Sequence, residues 1–171
     1  TSVQQWGGAI FCFCSTPKLI NVTITQNSSE HGSAIYDQFE SHPVIINSII
    51  WGDEILISDS ITIMYSNIEG GESGILGEGY INWLGGNINQ DPLFINSGEH
   101  PYQLNDISPC VNAGVPDTSG MNLPEFDLAG NPRIYGGRIE MGAYENQNVV
   151  LGYNNKKTQS QHLNIYPNPV E

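Results

Sequence analysis

Carboxylates dominate the chemistry this chain has to offer. Eighteen Asp and Glu face five Lys and Arg, giving a formal charge of −13. Among the acids of the first seventy residues, the candidates for acid–base work are Asp37, Asp53, Glu54, Asp59 and Glu69. Glycoside hydrolysis by two carboxyl groups needs a pair roughly 5 to 9.5 Å apart. No such pair forms when the repeating segments described below are aligned: Glu69 falls beside Trp51 and Thr25, while Asp53 and Glu54 fall in turns. Elimination on an acidic glycan commonly combines Ca²⁺ held by carboxylates with a Lys or Arg base. Only Lys18 stands in the repeating region, with Arg133 and Arg138 far downstream, and the anionic surface repels a polyuronate. Cys12, Cys14, His31 and Ser33 lie close in sequence, but none stands in a nucleophile motif. No catalytic residue is therefore assigned. Asp53, Glu54 and Asp59 are the acids that could hold calcium in a turn, although their spacing matches no specific calcium loop, and no cofactor is required.

Binding chemistry is better supplied. Asn21, Asn47 and Tyr65 stand at one matched position of the repeat with Trp51 on the same face, and as an outward strip they would offer amides and aromatic rings to a sugar. Trp6, Trp51 and Trp83 are the rings best suited to report on such contact.

The elements that must position these residues repeat. Segments 19–25 (Leu-Ile-Asn-Val-Thr-Ile-Thr), 45–51 (Ile-Ile-Asn-Ser-Ile-Ile-Trp) and 63–69 (Ile-Met-Tyr-Ser-Asn-Ile-Glu) align, each followed by turn residues. Alternation predicts one inward face of Ile20, Val22 and Ile24, then Ile46, Ser48 and Ile50, then Met64, Ser66 and Ile68. It predicts an exposed face carrying Asn21, Asn47, Ile49, Trp51 and Tyr65. A second strand precedes each segment, at 7–11, 32–36 and 54–58, so copies recur every 18 to 26 residues. That period is too short for a strand plus a crossover helix, and it matches one coil of a solenoid. An antiparallel sandwich is the rival, but it gives no reason for motifs to recur in register.

Bulk properties narrow the class. One domain with a tail is expected from 171 residues, 39% of them hydrophobic. Phosphate binding needs clustered Lys and Arg, so nucleic acid is not an expected partner. No apolar run approaches the roughly 18 residues that span a bilayer. Three cysteines cannot all pair internally; Cys12, Cys14 and Cys110 read as small buried hydrophobes, with a bridge from Cys12 or Cys14 to Cys110 as the alternative. The four histidines, at 31, 42, 100 and 162, have no zinc-ligand spacing.

Gly-Gly-Ala-Ile (7–10), Gly-Ser-Ala-Ile (32–35), Asn-Ser-Ile-Ile-Trp-Gly (47–52) and Tyr-Ser-Asn-Ile-Glu-Gly (65–70) resemble coils of bacterial right-handed parallel β-helix proteins of the pectate-lyase-like superfamily. The run 87–145 resembles the end of the β-helix in surface proteins described as carrying a choice-of-anchor domain. Its signposts are Asn-Ile-Asn-Gln-Asp-Pro-Leu-Phe (87–94), Tyr-Gln-Leu-Asn-Asp-Ile-Ser-Pro-Cys-Val-Asn-Ala-Gly (102–114), Asp-Leu-Ala-Gly-Asn-Pro-Arg-Ile (127–134) and Glu-Met-Gly-Ala-Tyr-Glu (140–145). Residues 163–171, with Tyr166-Pro167-Asn168-Pro169, resemble the opening strand of the sorting domain used by the type IX secretion system of Bacteroidota.

These resemblances imply an all-β right-handed parallel β-helix, with coils over 1–86, a terminal coil and cap over 87–145, a linker over 146–162 and the truncated start of a sorting domain over 163–171. In the cap, Asp127 with Gly130 and Asn131 reads as a turn, and Arg133 as the partner of a nearby carboxylate. The implied function is that of a secreted or outer-membrane-surface scaffold, adhesin-like and without its own catalytic site, that contacts extracellular polysaccharide or a surface protein. The tail implies recognition by the type IX secretion machinery. The alternative is the C-terminal fragment of a polysaccharide lyase or glycoside hydrolase whose catalytic coils lie upstream.

Overall fold

The computed structural model describes residues 6–148. The rest of the linker and the sorting-domain segment lie outside the described residues. Among the described residues the fold is nearly all β, with three parallel sheets and a single short 3₁₀ turn at Glu72–Gly74. The chain visits the sheets in strict rotation. β1 (Ile10–Phe13), β4 (Ile35–Gln38), β7 (Ile55–Ile57) and β10 (Leu76–Gly77) form the first sheet. The second contains β2 (Lys18–Ile20), β5 (Val44–Ile46), β8 (Ser60–Met64) and β11 (Tyr80–Trp83). The third contains β3 (Thr23–Thr25), β6 (Ile49–Trp51) and β9 (Asn67–Ile68). Each circuit of the chain thus lays one strand on each sheet, a path compatible with a β-solenoid. Pairing is parallel and in the expected register, with Ile20 beside Ile46, Ile46 beside Met64, and Ile24 beside Ile50. An antiparallel sandwich is thereby excluded.

Each predicted seven-residue strand is two strands meeting at a corner. Asn21, Asn47 and Tyr65 stack at that corner with φ of +53°, +50° and +46°. Asparagine tolerates this left-handed conformation because its side chain can bond locally, and a tyrosine there is the exception. One left-handed residue reverses the alternation. Before the corner, Ile45 and Ile63 point into the coils and are fully buried, and Leu19 packs with them. After it, Val22, Ser48 and Ser66 point inward, followed by Ile24, Ile50 and Ile68. Ile20, Ile46 and Met64, expected inside, instead face outward and pack against Val115 and Ile139.

Two buried serines are explained by the same corner, where the β ladder lapses and leaves amides to satisfy. Ser48 Oγ accepts the Val22 N–H at 3.1 Å and donates to the Ile46 carbonyl. Ser66 Oγ accepts the Ser48 N–H at 3.1 Å, and Asn87 Oδ1 accepts that of Ser66 at 3.0 Å.

After β11 the chain makes few regular pairs. It runs back along the outer flank of the second and third sheets, from Ile88 beside Asn67 to Tyr102 on Gln26 and Ala143 on Thr23. Two apolar clusters form under it, one of Ile49, Leu104, Cys110 and Met141, the other of Ile46, Val115 and Ile139. The flank carries Ile20, Ile46, Ile49 and Met64, and among the described residues it is this segment that removes them from water.

Gly142 seats the returning segment closely against the coils. Its φ is +92°, and a Cβ there would lie 2.8 Å from both Ile49 Cδ1 and Thr23 Oγ1. Gly142→Ala is expected to cost about 2–4 kcal/mol, read as a lower urea midpoint, because it combines left-handed strain with overpacking. An unchanged midpoint would show that this segment does not bear on stability.

Candidate functional site

The structure places the predicted binding strip under the returning segment. Asn21 and Asn47 are buried, not exposed. Asn21 Nδ2 donates to the Glu140 carbonyl at 2.9 Å and the Gly142 carbonyl at 3.3 Å. Asn47 Oδ1 accepts the Val115 N–H at 2.8 Å, and its backbone carbonyl accepts that of Gly142 at 2.7 Å. Tyr65 is half-buried beneath the Arg138 guanidinium, 5.8 Å from the ring centre. The physical reason is the apolar neighbours of these asparagines: Ile20, Ile46 and Ile49 share their face, so the face had to be covered.

Asn21 edges a cavity of about 280 Å³ beside Pro124 and Leu128, and Trp51 reaches a larger one. Trp51 packs on the Ile49–Met141 cluster and lines an open groove of about 510 Å³ between the coils and the returning segment. Leu93, Phe94 and Ile107 supply the rest of its apolar wall, while Thr25, Gln26, Asp91, Asn96 and Asn105 supply polar groups. Several of these are held in place by the chain itself. Tyr102 Oη donates to Gln26 Oε1 at 2.9 Å, and its ring lies edge-on to Phe94. Asp91 Oδ1 accepts the Leu93 N–H, Asn105 Oδ1 accepts that of Ile107, and Asn96 Nδ2 donates to the Phe94 carbonyl. Leu93 sits at φ +52°, a strained conformation for a bulky residue and one found at ligand clamps. Held amides and a carboxylate beside an indole suit a polar, uncharged ligand with apolar faces. The lining has one carboxylate and no Lys or Arg, so it contains neither the pair used in two-carboxyl hydrolysis nor a basic side chain for elimination.

The acids considered for calcium accept backbone donors at the corners. Asp53 accepts the Asn27 N–H at 2.9 Å and the Asn27 side-chain amide at 2.6 Å. Glu54 accepts the Gly32 N–H at 3.1 Å, and Asp59 accepts that of Ser41 at 3.3 Å. Glu69 does the same for Gly52 at 2.7 Å. Each carboxylate thus satisfies a backbone donor of the preceding coil, and the three are not brought together. Among the described residues no group of three or more His, Cys, Asp or Glu is placed to hold a metal ion. Asp37 points into the core on β4 beside Cys12, and burial raises both of their pKa values.

All three cysteines are free thiols. Cys12 and Cys110 are buried, as the small-hydrophobe reading expects, but Cys14 is exposed. Burial pushes Cys110 up to about 11, which keeps it an unreactive thiol at neutral pH.

The strongest electrostatics lie in the returning segment. Arg133, almost wholly buried, donates to Glu145 Oε1 at 2.7 Å and to the Ala143 and Gly142 carbonyls. Asp127 Oδ1 accepts the N–H groups of Ala129 and Asn131, closing the expected turn, and its Oδ2 accepts that of Glu145 at 2.8 Å. Glu140 is buried beside them, with Oε2 accepting the Asn146 N–H and Oε1 unpartnered. Burial, with Glu145 and Asp127 adding repulsion, pushes Glu140 up to about 8. Burial also raises Glu145, against the pull of Arg133.

Sequence reading missed the groove because its second wall comes from residues 91–107, assigned to a cap. The available signal was Leu93-Phe94, an apolar pair flanked by Asp91 and Asn96. Among the described residues no helix is long and apolar enough to cross a membrane. Compared with protein-family models, curated proteins and solved structures, the chain matches none of them.

Proposed function

We propose that this chain is part of a right-handed parallel β-helix that acts as a non-catalytic surface scaffold and holds a neutral extracellular glycan in the Trp51 groove. The observation that carries the reading is the groove itself, an indole beside positioned amides with a single carboxylate. A net charge of −13 disfavours acidic glycans. Export, through the type IX machinery to the cell surface or medium, rests on the resemblance of Tyr166-Pro167-Asn168-Pro169 to a sorting-domain strand.

The test is ligand-dependent melting. A soluble galactomannan or glucan at saturating concentration is expected to raise Tm by several degrees, since about 100-fold excess over Kd stabilises by about 2.7 kcal/mol. Polygalacturonate is expected to produce no shift. Trp51→Ala should abolish the shift relative to its own ligand-free Tm, a comparison that cancels its packing loss against Ile49 and Met141. If no neutral glycan moves Tm, or if Trp51→Ala shifts as the parent does, the groove is not a glycan site.

A further inference from the structure

A second surface lies on the first sheet, away from the residues that line the groove. Along β1 the chain alternates, with Ile10 and Cys12 turned to the core and Phe11 and Phe13 turned out. In register, Phe11 lies beside Tyr36, Tyr36 beside Leu56 and Leu56 beside Leu76, so one outward apolar ladder crosses all four strands. At the β1–β4 end it becomes aromatic. Phe11 stacks on Tyr36 with centroids 5.7 Å apart, Trp6 leans on Tyr36 at 5.2 Å, and Phe13 meets Phe39 at 5.0 Å. Tyr36 is the buried floor, while Trp6, Phe11, Phe13 and Phe39 are 37–61% exposed. Between them is a shallow depression of about 470 Å³ lined by Trp6, Phe11, Phe13 and Gln38.

Four exposed rings gathered in one contiguous cluster call for a partner. Size and charge select its kind. A four-residue strand is about 13 Å long, and four strands about 4.8 Å apart span about 14 Å, so the face offers about 200 Å². A stable protein partner covers about 800 Å² on each side, several times more. No Asp, Glu, Lys or Arg belongs to the ladder or the depression, so nothing there recognises an ionic group. Polar contact comes from the Gln38 amide, which donates to Tyr36 Oη, and from the His31 ring beside Trp6. A small, uncharged aromatic face with one amide fits the apolar faces and hydroxyls of a few sugar residues.

We propose that the outer face of the first sheet, built on Trp6, Phe11, Phe13 and Phe39, is a second contact site for a neutral glycan chain, independent of the Trp51 groove. The test is affinity electrophoresis of the protein in gels containing hydroxyethyl cellulose or galactomannan, alongside sedimentation velocity without polysaccharide. Phe13→Ser and the Phe11→Ser/Phe13→Ser pair alter exposed rings, and unchanged far-UV circular dichroism checks the fold. The pair is expected to weaken retardation by about tenfold in apparent Kd, and to do so equally in a Trp51→Ala background. Retardation that survives in Trp51→Ala but is lost on adding the phenylalanine changes supports this site even if the groove reading fails. Unchanged retardation in the phenylalanine variants overturns it. So does a dimer in the parent that the same variants convert to monomer, because the face would then be a protein interface.

Discussion

Replacing Arg133 by alanine is expected to remove about 3–5 kcal/mol of stability, the usual cost of leaving a buried carboxylate without its counter-charge. Glu145, 2% exposed, would lose its 2.7 Å partner, and the Ala143 and Gly142 carbonyls would lose their donors. Domains are commonly stable by only 5–15 kcal/mol, so this single change takes a large share. Its effect should be local first. Residues 127–146 hold one another through Arg133, Glu145 and Asp127, and they hold the flank of the coils through Gly142 and Asn47. Hydrogen exchange in Arg133→Ala is therefore expected to speed up at Val115, Met141 and Gly142 before it does in β4, β5 and β8. Arg133→Lys should recover part of the loss, because it restores the charge but not the planar fork that reaches two carbonyls and a carboxylate. Equal melting of Arg133→Ala and the parent would show that the buried pair is not what fastens the segment.

Glu140→Gln is expected to act in the opposite direction, and only above mildly acidic pH. Three buried carboxylates, Asp127, Glu140 and Glu145, lie near one guanidinium; Glu140 Oε1 and Glu145 Oε2 both lack a partner, but only Glu145 is bonded to Arg133, so Glu140 is the one that retains a proton. Its value is about 8 in the fold against an ordinary 4.5. A raised carboxyl favours the fold while it is neutral, so that stability is complete below pH 4.5 and is lost as pH climbs through 8. The amide mimics the neutral acid and does not titrate. Parent and variant should therefore melt alike near pH 4.5, and the variant should be more stable by an amount of the order of a few kcal/mol at pH 9. Part of that gain is offset if the new N–H₂ finds no acceptor. Melting curves taken from pH 4.5 to 9 decide the matter: a constant difference between the two proteins would mean that Glu140 does not titrate in the fold.

These predictions concern residues whose roles were unevenly legible. The Arg133–carboxylate pair and the Asp127 turn were readable because both are local chemistry: a short acidic turn followed by Gly and Asn, and one of few basic residues in an acidic chain. That Glu140 would titrate near neutrality was not, since it depends on burial by chain segments distant in sequence. The aromatic ladder had a visible signal in Ala9-Ile10-Phe11 and Ala34-Ile35-Tyr36. Its alternation says that the ring and the isoleucine face opposite ways, but not that the ring stays uncovered.

By itself the sequence determined the parallel register. Parallel copies pair residue for residue, so matching motifs at 19–25, 45–51 and 63–69 suffice to place Ile20 beside Ile46 and Ile46 beside Met64. What only the tertiary structure decided is which face of those strands meets water. A single left-handed residue at Asn21, Asn47 or Tyr65 inverts the alternation, and composition does not announce it. The face so inverted, bearing Ile20, Ile46 and Ile49, is too apolar to stay exposed, and the returning segment covers it, burying Asn21 and Asn47 with it. Trp51 escapes because it sits at the margin of that cover, where two distant stretches of chain meet and leave a groove between them.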